Sequence, residues 1–371
     1  MTQSDHTISS VCDLPTPALV IDGPVARRNI RRLADYAAKH HLDLRPHTKT
    51  HKSRFMAGLQ MEAGAIGLTV AKVGEAREMQ GAAKDLLMAY PAVDPARCTG
   101  LAELARTGTI RVLVDSLEGI AALSAAAKKA DSTLGVLVEI DVGMGRTGVS
   151  SAPESLKLAQ AVCQATNLRL DGILCYPGHI WALVDQQAAP LAAVSAKLQE
   201  AIELWAAHGL QAKIVSGGST PTAFQSHFVK QYTEIRPGTY VFNDMNTFRG
   251  GYCALDDCAA HMLCTVVSKA VKDQIVIDGG TKTFTSDLCL PAKDSGHGYL
   301  VDYPAARIGP LSEEHGQVDV SRCEKRPRIG ERVRVIPNHI CPCVNLQNTI
   351  WWRDHDDSLC RINVDARGRL S

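Results

Sequence analysis

The chain has 371 residues, of which 45% are hydrophobic and 21% are charged, and its formal net charge at pH 7 is +1. This composition supports the packed core of two domains, or of one large domain with an appendage, and argues against wholesale disorder. Because the net charge is near zero and no long basic run occurs, nucleic acids and anionic membranes are poor candidates for partners.

The chain begins with a polar stretch, residues 1–10, that lacks the basic start and apolar core of a signal peptide. No later stretch reaches the roughly 18 apolar residues that a membrane-spanning helix needs. The twelve cysteines are mostly scattered as single residues, which is typical of reduced, buried thiols rather than of a disulfide framework. These observations predict a cytoplasmic protein.

Short apolar runs alternate with alanine-rich helical stretches as far as about Asp244. Eight runs have the length of strands: Leu42–Leu44, Ile66–Val70, Asp85–Tyr90, Ile110–Val114, Gly135–Ile140, Leu170–Cys175, Ala212–Val215 and Glu234–Phe242. Helix candidates between them include Val73–Gln80, Leu117–Ala130, Pro153–Ala165 and Leu191–Ala207. Strands and helices in this order predict an α/β fold, a parallel (β/α)8 TIM barrel over residues 25–244.

After Asp244 the pattern changes to strand-like runs with Gly and Pro turns between them and almost no helix. These runs are His261–Val267, Gln274–Asp278, Arg332–Ile336 and Asn348–Trp352. Residues 245–371 are therefore predicted to form a C-terminal β-domain. The strand-like run Thr16–Asp22 belongs to an N-terminal segment, residues 1–24, that could pair with this domain.

Lys49 lies in a basic cluster, Arg45–Lys52, between the first predicted barrel strand and a helix-like segment over Ser53–Ala63. Strand-to-helix junctions carry the chemistry of barrel enzymes, so Lys49 is a candidate functional residue. A basic cluster taken alone is more often a solvated surface loop, and the functional interpretation depends on the other motifs.

Gly143–Gly148 matches the dinucleotide-binding pattern G-x-G-x-x-G after a predicted strand. However, the motif follows several βα units, no acidic residue at a strand end follows at the expected distance of about 20 residues, and Arg146 lies inside the loop. We prefer a second interpretation, in which the glycines let the backbone turn at the end of a barrel strand. Arg146 would then direct its charge into a site, where it could hold a phenolate oxygen.

Two segments of small residues follow the last two predicted barrel strands, where barrels commonly bind phosphate. Ser216–Thr222 offers N–H groups and hydroxyls for an anion nest, and Arg236–Tyr240 could complete the cup. Gly-Ser stretches are usually plain loops, but two such segments opposite a lysine suggest a phosphorylated aldehyde cofactor.

Tyr176 and His179 end the sixth predicted strand. Tyr176 could pack beside a cofactor ring, and His179 could transfer protons because imidazole titrates near neutral pH. The alternative is a turn with a purely structural role.

His339 and Cys341 lie in the predicted β-domain at positions i and i+2, so on an extended segment their side chains would share one face. Imidazole and thiolate suit zinc or another divalent ion, and two protein ligands are typical of an open, catalytic site. Cys343 would share the same face and is a possible third ligand. A metal-free structural role for the pair is the alternative.

Six motifs occur in a fixed order: Arg45–Lys52, Asp141–Gly148, Gly217–Thr222, Arg236–Tyr240, Glu313–Gly316 and Pro337–Pro342. With these motifs the chain resembles the D-threonine aldolase and D-serine dehydratase family, which is related to alanine racemase, over nearly its whole length. The resemblance implies a fold-type III pyridoxal phosphate enzyme with a barrel and a β-domain, usually a homodimer.

The resemblance also implies roles for single residues. Lys49 would form the Schiff base, Arg146 would contact the phenolic oxygen of the cofactor, and Tyr176 would flank its ring. The implied phosphate ligands are Gly218, Ser219, Thr220, Gly238 and Thr239. His339 and Cys341 would hold a divalent metal, zinc or manganese, that binds the β-hydroxyl of the substrate. Glu314 and His315 belong to a family motif, but no firm role follows for them.

These parts predict a lyase that acts on D-3-hydroxy amino acids, with serine, threonine, 3-hydroxyaspartate and phenylserine all acceptable. Family members with aldolase activity tend to carry His-x-Asp at the metal position, and dehydratases His-x-Cys. Cys341 therefore favours dehydration to a keto acid and ammonia over cleavage to glycine and an aldehyde. The barrel motifs look as close to the aldolase branch. An amino-acid racemase would share Lys49 but should not need a metal, and a barrel-only cofactor-binding protein would lack the β-domain.

Overall fold

The computed structural model describes residues 10–371. The prediction about a signal peptide concerns residues 1–10, and residues 1–9 lie outside the described residues. The chain divides into two compact units. The barrel unit holds Ile30–Gly238 and Gly368–Ser371, and the β-unit holds the chain up to Asn29 together with Thr239–Arg367. The last four residues thus lie in the barrel unit, whereas the sequence predicted them in the β-domain.

Strand β1 (Ala18–Asp22) and helix α1 (Gly23–Lys39) open the described chain. The barrel strands are β2 (Asp43–Leu44), β3 (Leu68–Val70), β4 (Asp85–Met88), β5 (Thr109–Val114), β6 (Leu134–Glu139), β7 (Leu168–Leu174), β8 (Ile214–Gly217) and β9 (Glu234–Ile235). The helices between them are α2 (Arg54–Glu62), α3 (Val73–Met79), α4 (Pro95–Leu104), α5 (Leu117–Lys129), α6 (Ala152–Gln164) and α7 (Ala188–Ala207). The predicted alternation of strands and helices is confirmed.

The eight strands are parallel and follow the order β2-β9-β8-β7-β6-β5-β4-β3. The two outermost strands also meet, because the Ile66 N–H donates to Leu44 O at 2.9 Å and the Thr69 N–H donates to Pro46 O at 2.8 Å. A bridge between His47 and Thr69 extends this contact. The sheet therefore closes on itself as the predicted (β/α)8 barrel.

Charged residues in or next to several barrel strands pair with one another. Arg45 Nε lies 2.9 Å from Glu234 Oε2, and Arg45 Nη1 lies 2.5 Å from Asp85 Oδ1. Arg111 joins Asp85, at 2.5 Å, to Asp171, at 2.8 Å. Because Arg45 and Glu234 are almost fully buried, each charge depends on its partners, and this network is a structural feature rather than part of the candidate site.

The eighth predicted barrel strand, Glu234–Phe242, is wrong beyond Ile235. Pro237 has no N–H to donate to a sheet. After Gly238 the backbone turns into a 3-10 helix, Thr239–Val241, in which Thr239 O accepts the N–H groups of both Phe242 and Asn243.

The β-unit has a mixed sheet and three short helices. Its elements are α8 (Met245–Arg249), β10 (Ala260–Ser268), β11 (Gln274–Ile277), α9 (Thr281–Phe284), β12 (Tyr299–Leu300), β13 (Arg307–Leu311), β14 (Gly316–Asp319), β15 (Arg332–Ile336), α10 (Ile340–Asn345), β16 (Thr349–Arg353) and β17 (Leu359–Asn363). The order is β13-β14-β11-β10-β1-β16-β17, and β15 pairs with both β10 and β12. Strand β1 is antiparallel to β10 and parallel to β16, so the N-terminal strand lies inside this sheet.

The segment around His339 is not extended as the sequence predicted. Helix α10 begins at Ile340, and His339 is its N-cap residue. The Ile340 N–H donates to Asp244 Oδ2 at 3.1 Å, which satisfies one of the free N–H groups at the start of the helix. Pro342 is tolerated because N–H groups in the first helical turn have no partner within the helix.

No helix in the described part of the chain is both long and apolar enough to cross a membrane. The eleven cysteines whose side chains are described are thiols outside any disulfide bond, and six of them are buried. The cysteines therefore act mostly as small apolar side chains of the two cores.

Candidate active site

The carboxyl ends of five barrel strands carry candidate residues of the barrel unit. Lys49 follows β2, Arg146 follows β6, Tyr176 and His179 follow β7, Gly218–Thr220 follow β8, and Gly238 follows β9. Because the strands are parallel, these residues lie at one face of the barrel, where barrel enzymes have their active sites. The remaining candidates, Thr239, His339 and Cys341, belong to the β-unit.

Lys49 has an exposed side chain in a turn whose backbone is fixed. Its neighbours Thr48 and Thr50 are buried, and the Thr48 N–H donates to Thr69 O at 2.8 Å. The Lys49 N–H donates to His47 Nδ1 at 3.4 Å. The amine is therefore presented to solvent by a rigid support.

Two buried groups surround this turn. Burial, followed by the charges of Lys49 and Arg236, holds the pKa of His47 well below its usual range, so the ring stays neutral. Lys52 Nζ pairs with Glu75 Oε1 at 2.5 Å, and Glu75 Oε2 accepts the Ala71 N–H at 2.7 Å. Lys52 has a φ of +50°, a conformation that this buried ion pair helps to hold.

Gly238 packs against the turn that carries Lys49. A Cβ atom at position 238 would lie 3.0 Å from both His47 O and Thr50 Oγ1. This close approach favours glycine at position 238 whether or not a phosphate binds there. The predicted role of Gly238 in phosphate binding stays a prediction.

The end of β8 has the features of an anion nest. Gly218 has a φ of +82°, and Ser219 Oγ lies 3.0 Å from Thr222 Oγ1. The N–H groups of Ser219 and Thr220 have no acceptor within residues 10–371. These donors, together with the exposed amine of Lys49 two strands away in the sheet, fit a phosphorylated aldehyde.

The G-x-G-x-x-G loop is wrapped around its own acidic residue. Asp141 Oδ1 accepts the N–H groups of Gly143, Met144 and Gly145 at 2.9–3.1 Å. Burial raises the pKa of Asp141, but these bonds and the charge of Lys197 outweigh burial and lower that pKa. The N–H groups that would bind a dinucleotide phosphate are thus already used, in agreement with the preferred interpretation of the motif.

Arg146 reaches from this loop towards the end of β7. Its Cζ atom lies 4.8 Å from the centre of the Tyr176 ring, a cation–π contact. The Tyr176 ring in turn lies over Gly178, where a Cβ atom would be 2.1 Å from the ring. His179 is exposed, and its ring packs against Gly143. The structure therefore brings Arg146, Tyr176 and His179 together.

Sequence reasoning missed Glu139 and left Arg236 without a role of its own. Arg236 is buried, and its guanidinium donates to Ser216 Oγ at 2.7 Å and to Cys175 O at 2.6 Å. Glu139 is the last residue of β6, and it lines a pocket with Arg146, Thr147 and Tyr176. An acidic residue in the otherwise apolar run Leu134–Ile140 was the signal that could have revealed it.

In the β-unit, His339 and Cys341 lie at the start of α10. His339 Nδ1 is 3.1 Å from Asp287 Oδ2, and Cys341 Sγ is 3.6 Å from Thr239 Oγ1. Burial lowers the pKa of His339, but interactions with Cys341, Asp244 and Asp287 raise it to about 9. An imidazole held by a carboxylate beside a thiol fits a divalent metal such as zinc. Among residues 10–371, however, no three His, Cys, Asp or Glu side chains form a metal-binding group.

Cys343 is turned away from this pair. It is fully buried, and its thiol donates to Phe284 O at 3.3 Å and to His339 O at 3.2 Å. This arrangement does not support Cys343 as a third ligand. Glu314 lies in an exposed ion pair with Lys282, at 2.9 Å.

Two family models match this chain. Residues 21–245 match the alanine racemase N-terminal domain, and residues 259–352 match the "Putative serine dehydratase domain". The chain is 32% identical over 354 residues to 3-hydroxy-D-aspartate aldolase of Paracoccus denitrificans (strain Pd 1222), covering 91% of this chain and 88% of that relative. It is 32% identical over 349 residues to D-threo-3-hydroxyaspartate dehydratase of Delftia sp. (strain HT23), covering 88% and 91%.

Solved structures agree over the whole fold. D-threonine aldolase from Filomicrobium marinum superposes with a TM-score of 0.90 at 30% identity, covering 98% of both chains. A cysteine-to-alanine mutant of D-threo-3-hydroxyaspartate dehydratase in the metal-free form superposes with a TM-score of 0.89 at 28% identity, covering 95% and 98%. The chain therefore belongs to the D-threonine aldolase and D-serine dehydratase family, a group of pyridoxal phosphate-type lyases with an alanine racemase N-terminal domain.

Proposed function

We propose that this protein is a lyase that uses pyridoxal phosphate and a divalent metal to dehydrate D-3-hydroxy amino acids to keto acids and ammonia. The observation that carries the choice of dehydration is the pairing of Cys341 with His339 at the start of α10, because thiolate and imidazole together favour zinc, a strong Lewis acid. The substrate class follows from the named activities of the relatives, which all concern 3-hydroxy amino acids.

The cofactor would be held by residues at five barrel strand ends and by Thr239, the residue after Gly238. Lys49 would bind its aldehyde, and Arg146 its phenolic oxygen. Tyr176 would flank the ring. The phosphate ligands would be Gly218, Ser219, Thr220, Gly238 and Thr239. When bound, pyridoxal phosphate supplies an electron sink for the bond that breaks at Cα.

Two side chains of the barrel unit are suited to move protons. Lys49 Nζ is exposed on a rigid turn and would accept the α-proton of the substrate. His179 is exposed beside Gly143 and would carry a second proton, to or from the substrate. The neutral ring of His47 supports the Lys49 turn from below without adding a further positive charge.

His339 and Cys341 would hold the metal, which would supply a Lewis acid for the β-hydroxyl leaving group. Asp287 accepts from His339 Nδ1, so Nε2 would be the ring nitrogen that acts as the ligand. Support comes from a D-threo-3-hydroxyaspartate dehydratase, a cysteine-to-alanine mutant of which was solved in a metal-free form.

A retro-aldol activity is the second candidate, because a 3-hydroxy-D-aspartate aldolase is as similar to this chain as the dehydratase is, at 32% identity. The same residues would serve it, with the Cα–Cβ bond broken instead and glycine released with an aldehyde. The outcome depends on whether a base removes the hydroxyl proton before the hydroxyl departs.

Product analysis separates the two reactions. The purified protein is supplied with pyridoxal phosphate and zinc or manganese, and offered D-serine, D-threonine and D-threo-3-hydroxyaspartate. Keto acid with an equal amount of ammonia is the expected result. Glycine with an aldehyde, or with glyoxylate from 3-hydroxyaspartate, would establish the aldolase and contradict the argument from Cys341. Activity that persists after chelation and in His339→Ala would remove the metal from the proposal. The expected homodimer stays a prediction for sedimentation analysis.

A further inference from the structure

Glu139 has a buried carboxyl group with one unused oxygen. The residue is 3% exposed, and Oε2 has no hydrogen-bond partner within residues 10–371. The carboxyl group makes one side-chain hydrogen bond, with Thr147. Leaving a buried carboxylate oxygen unpaired is costly, so this oxygen calls for a donor that is absent from the packing of the barrel itself.

The surroundings of Glu139 indicate where that donor comes from. The loop after β6 covers the residue, since a Cβ atom at Gly148 would lie 3.0 Å from Glu139 Cγ. Glu139 and Arg146 line the same pocket with Tyr176. Burial raises the pKa of Glu139, whereas the bond with Thr147 and the charges of Arg236 and Arg146 lower it and offset part of the effect of burial.

Two arginines are therefore candidates for the missing partner. Arg236 is buried, and its Nε and Nη2 groups already donate to Ser216 and Cys175. Arg146 is exposed, its guanidinium contacts the Tyr176 ring, and its charge acts on Glu139. A guanidinium carries five donors in a planar fork, so Arg146 can bind a carboxylate and a second anion at once.

We propose that Glu139 is a positioning residue that accepts a hydrogen bond from Arg146 in the cofactor-bound enzyme and thereby fixes the guanidinium on the cofactor's phenolic oxygen. The inference rests on the proposed function, and it assigns Glu139 a role at that same site. An arginine in a glycine-rich, exposed loop loses rotamer freedom when it binds, and a carboxylate anchored on the end of β6 reduces that loss at the moment of binding. A neutral, purely structural acid would not do so.

The test is a double-mutant cycle on cofactor affinity. The apoenzyme is titrated with pyridoxal phosphate, followed by absorbance, for the wild type, Glu139→Gln, Arg146→Gln and the double variant. Glu139→Gln keeps the size of the side chain and removes its charge. We expect it to weaken cofactor binding about ten- to a hundredfold, in the range of a lost hydrogen bond to a charged group. In the Arg146→Gln background the same change should have almost no further effect.

A second readout is the pH at which the visible absorption band of the bound cofactor changes. This pH should shift in Glu139→Gln and Arg146→Gln alike, because both release the phenolic oxygen from the same contact. Asp115→Asn is the matched control, since Asp115 also acts on Glu139 and accepts the Gly148 N–H at 3.2 Å. It removes a carboxylate beside the same loop and should leave the band unshifted.

Two outcomes would overturn the inference. Unchanged affinity and absorption in Glu139→Gln would mean that Glu139 acts as a neutral structural group. If the losses of cofactor affinity in Glu139→Gln and Arg146→Gln multiply in the double variant, the two residues act separately. If Glu139→Gln does not fold, the test uses Arg146→Gln and Glu139→Asp. The pH at which the absorption band changes should then shift less in Glu139→Asp than in Arg146→Gln.

The proposed function has its own readout in the same samples. Borohydride reduction followed by peptide mass analysis shows whether the cofactor is attached to Lys49. No adduct at Lys49 in the wild type would reject the proposed function. An adduct at Lys49, together with unchanged cofactor affinity and absorption in Glu139→Gln, would reject only the role of Glu139.

Discussion

The imidazole ring of His179 lies directly against the backbone of Gly143, so that a Cβ atom at position 143 would be 2.8 Å from Nε2. This contact joins the loop after β6, which carries Arg146, to the turn after β7, which carries Tyr176. Gly143 also has a φ of +125°, a backbone conformation that favours glycine. A side chain at position 143 is therefore disfavoured both by the backbone and by the His179 ring.

Gly143→Ala should therefore displace His179 and reduce kcat about a hundredfold while the cofactor remains bound, since loss of a positioned proton-transfer group has an effect of this size. Gly145→Ala is the matched control, because Gly145 has a φ of +65° but nothing lies within 4 Å of its Cβ position. Steady-state kinetics and cofactor absorbance check both variants. Equal losses in the two would show that backbone strain, and not the displaced ring, is the cause.

Asp287→Asn should lower the metal affinity about ten- to a hundredfold, the usual effect of removing a partner that orients a ligating histidine. The Asp287 carboxylate accepts from His339 Nδ1, so Nε2 would be the ring nitrogen that binds the metal. Metal affinity is measured by titration with a competing chelator. Asp294→Asn, in the same segment, is the control and should bind metal like the wild type. An unchanged affinity in Asp287→Asn would place the metal elsewhere.

Glu75→Gln should destabilise the protein by about 3 kcal/mol, because it leaves the ammonium of Lys52 buried without its counter-charge. Attachment of the cofactor to Lys49 should weaken as well, since Lys52 ends the turn that presents Lys49. Urea unfolding and cofactor titration measure the two effects. Glu103→Gln is the control, because the Arg77–Glu103 pair is more than half exposed and its loss should cost less than about 0.5 kcal/mol. A cost equally small in Glu75→Gln would contradict the argument.

Stability should fall in mild acid because His261 is held neutral. Burial, followed by the charge of Arg334, lowers the pKa of His261 to about 4. In the unfolded chain the pKa is about 6.5, so between these values the unfolded state binds a proton that the folded state does not. The loss begins as the pH falls through about 6.5 and reaches about 2 kcal/mol at pH 5.

The comparison of urea midpoints at pH 7 and pH 5 checks this prediction. His261→Gln should reduce the difference between the two pH values, since it removes the titrating group. His208→Gln, at an exposed position after α7, should leave the difference unchanged. An identical acid response in wild type and His261→Gln would assign the loss to other groups.

The sequence by itself determined the barrel, and it pointed to the strand ends at which barrel enzymes carry their chemistry. Strands such as β5 and β6 are short, mostly apolar runs separated by amphipathic helices, and this local pattern is sufficient to predict their type and nearly their bounds. Lys49 could be singled out because the end of a barrel strand is a position defined by chain order alone.

Only the tertiary structure decided the features that depend on distant partners. Helix α10 starts at Ile340 because Asp244, 96 residues earlier, accepts its N–H, so the pattern His339-x-Cys341 is not on an extended segment. The unused oxygen of Glu139 likewise exists only because the loop after β6 folds back over it. Contacts of this kind join residues that no local pattern relates, since hydrogen bonds and buried charges are satisfied by whatever the fold brings near.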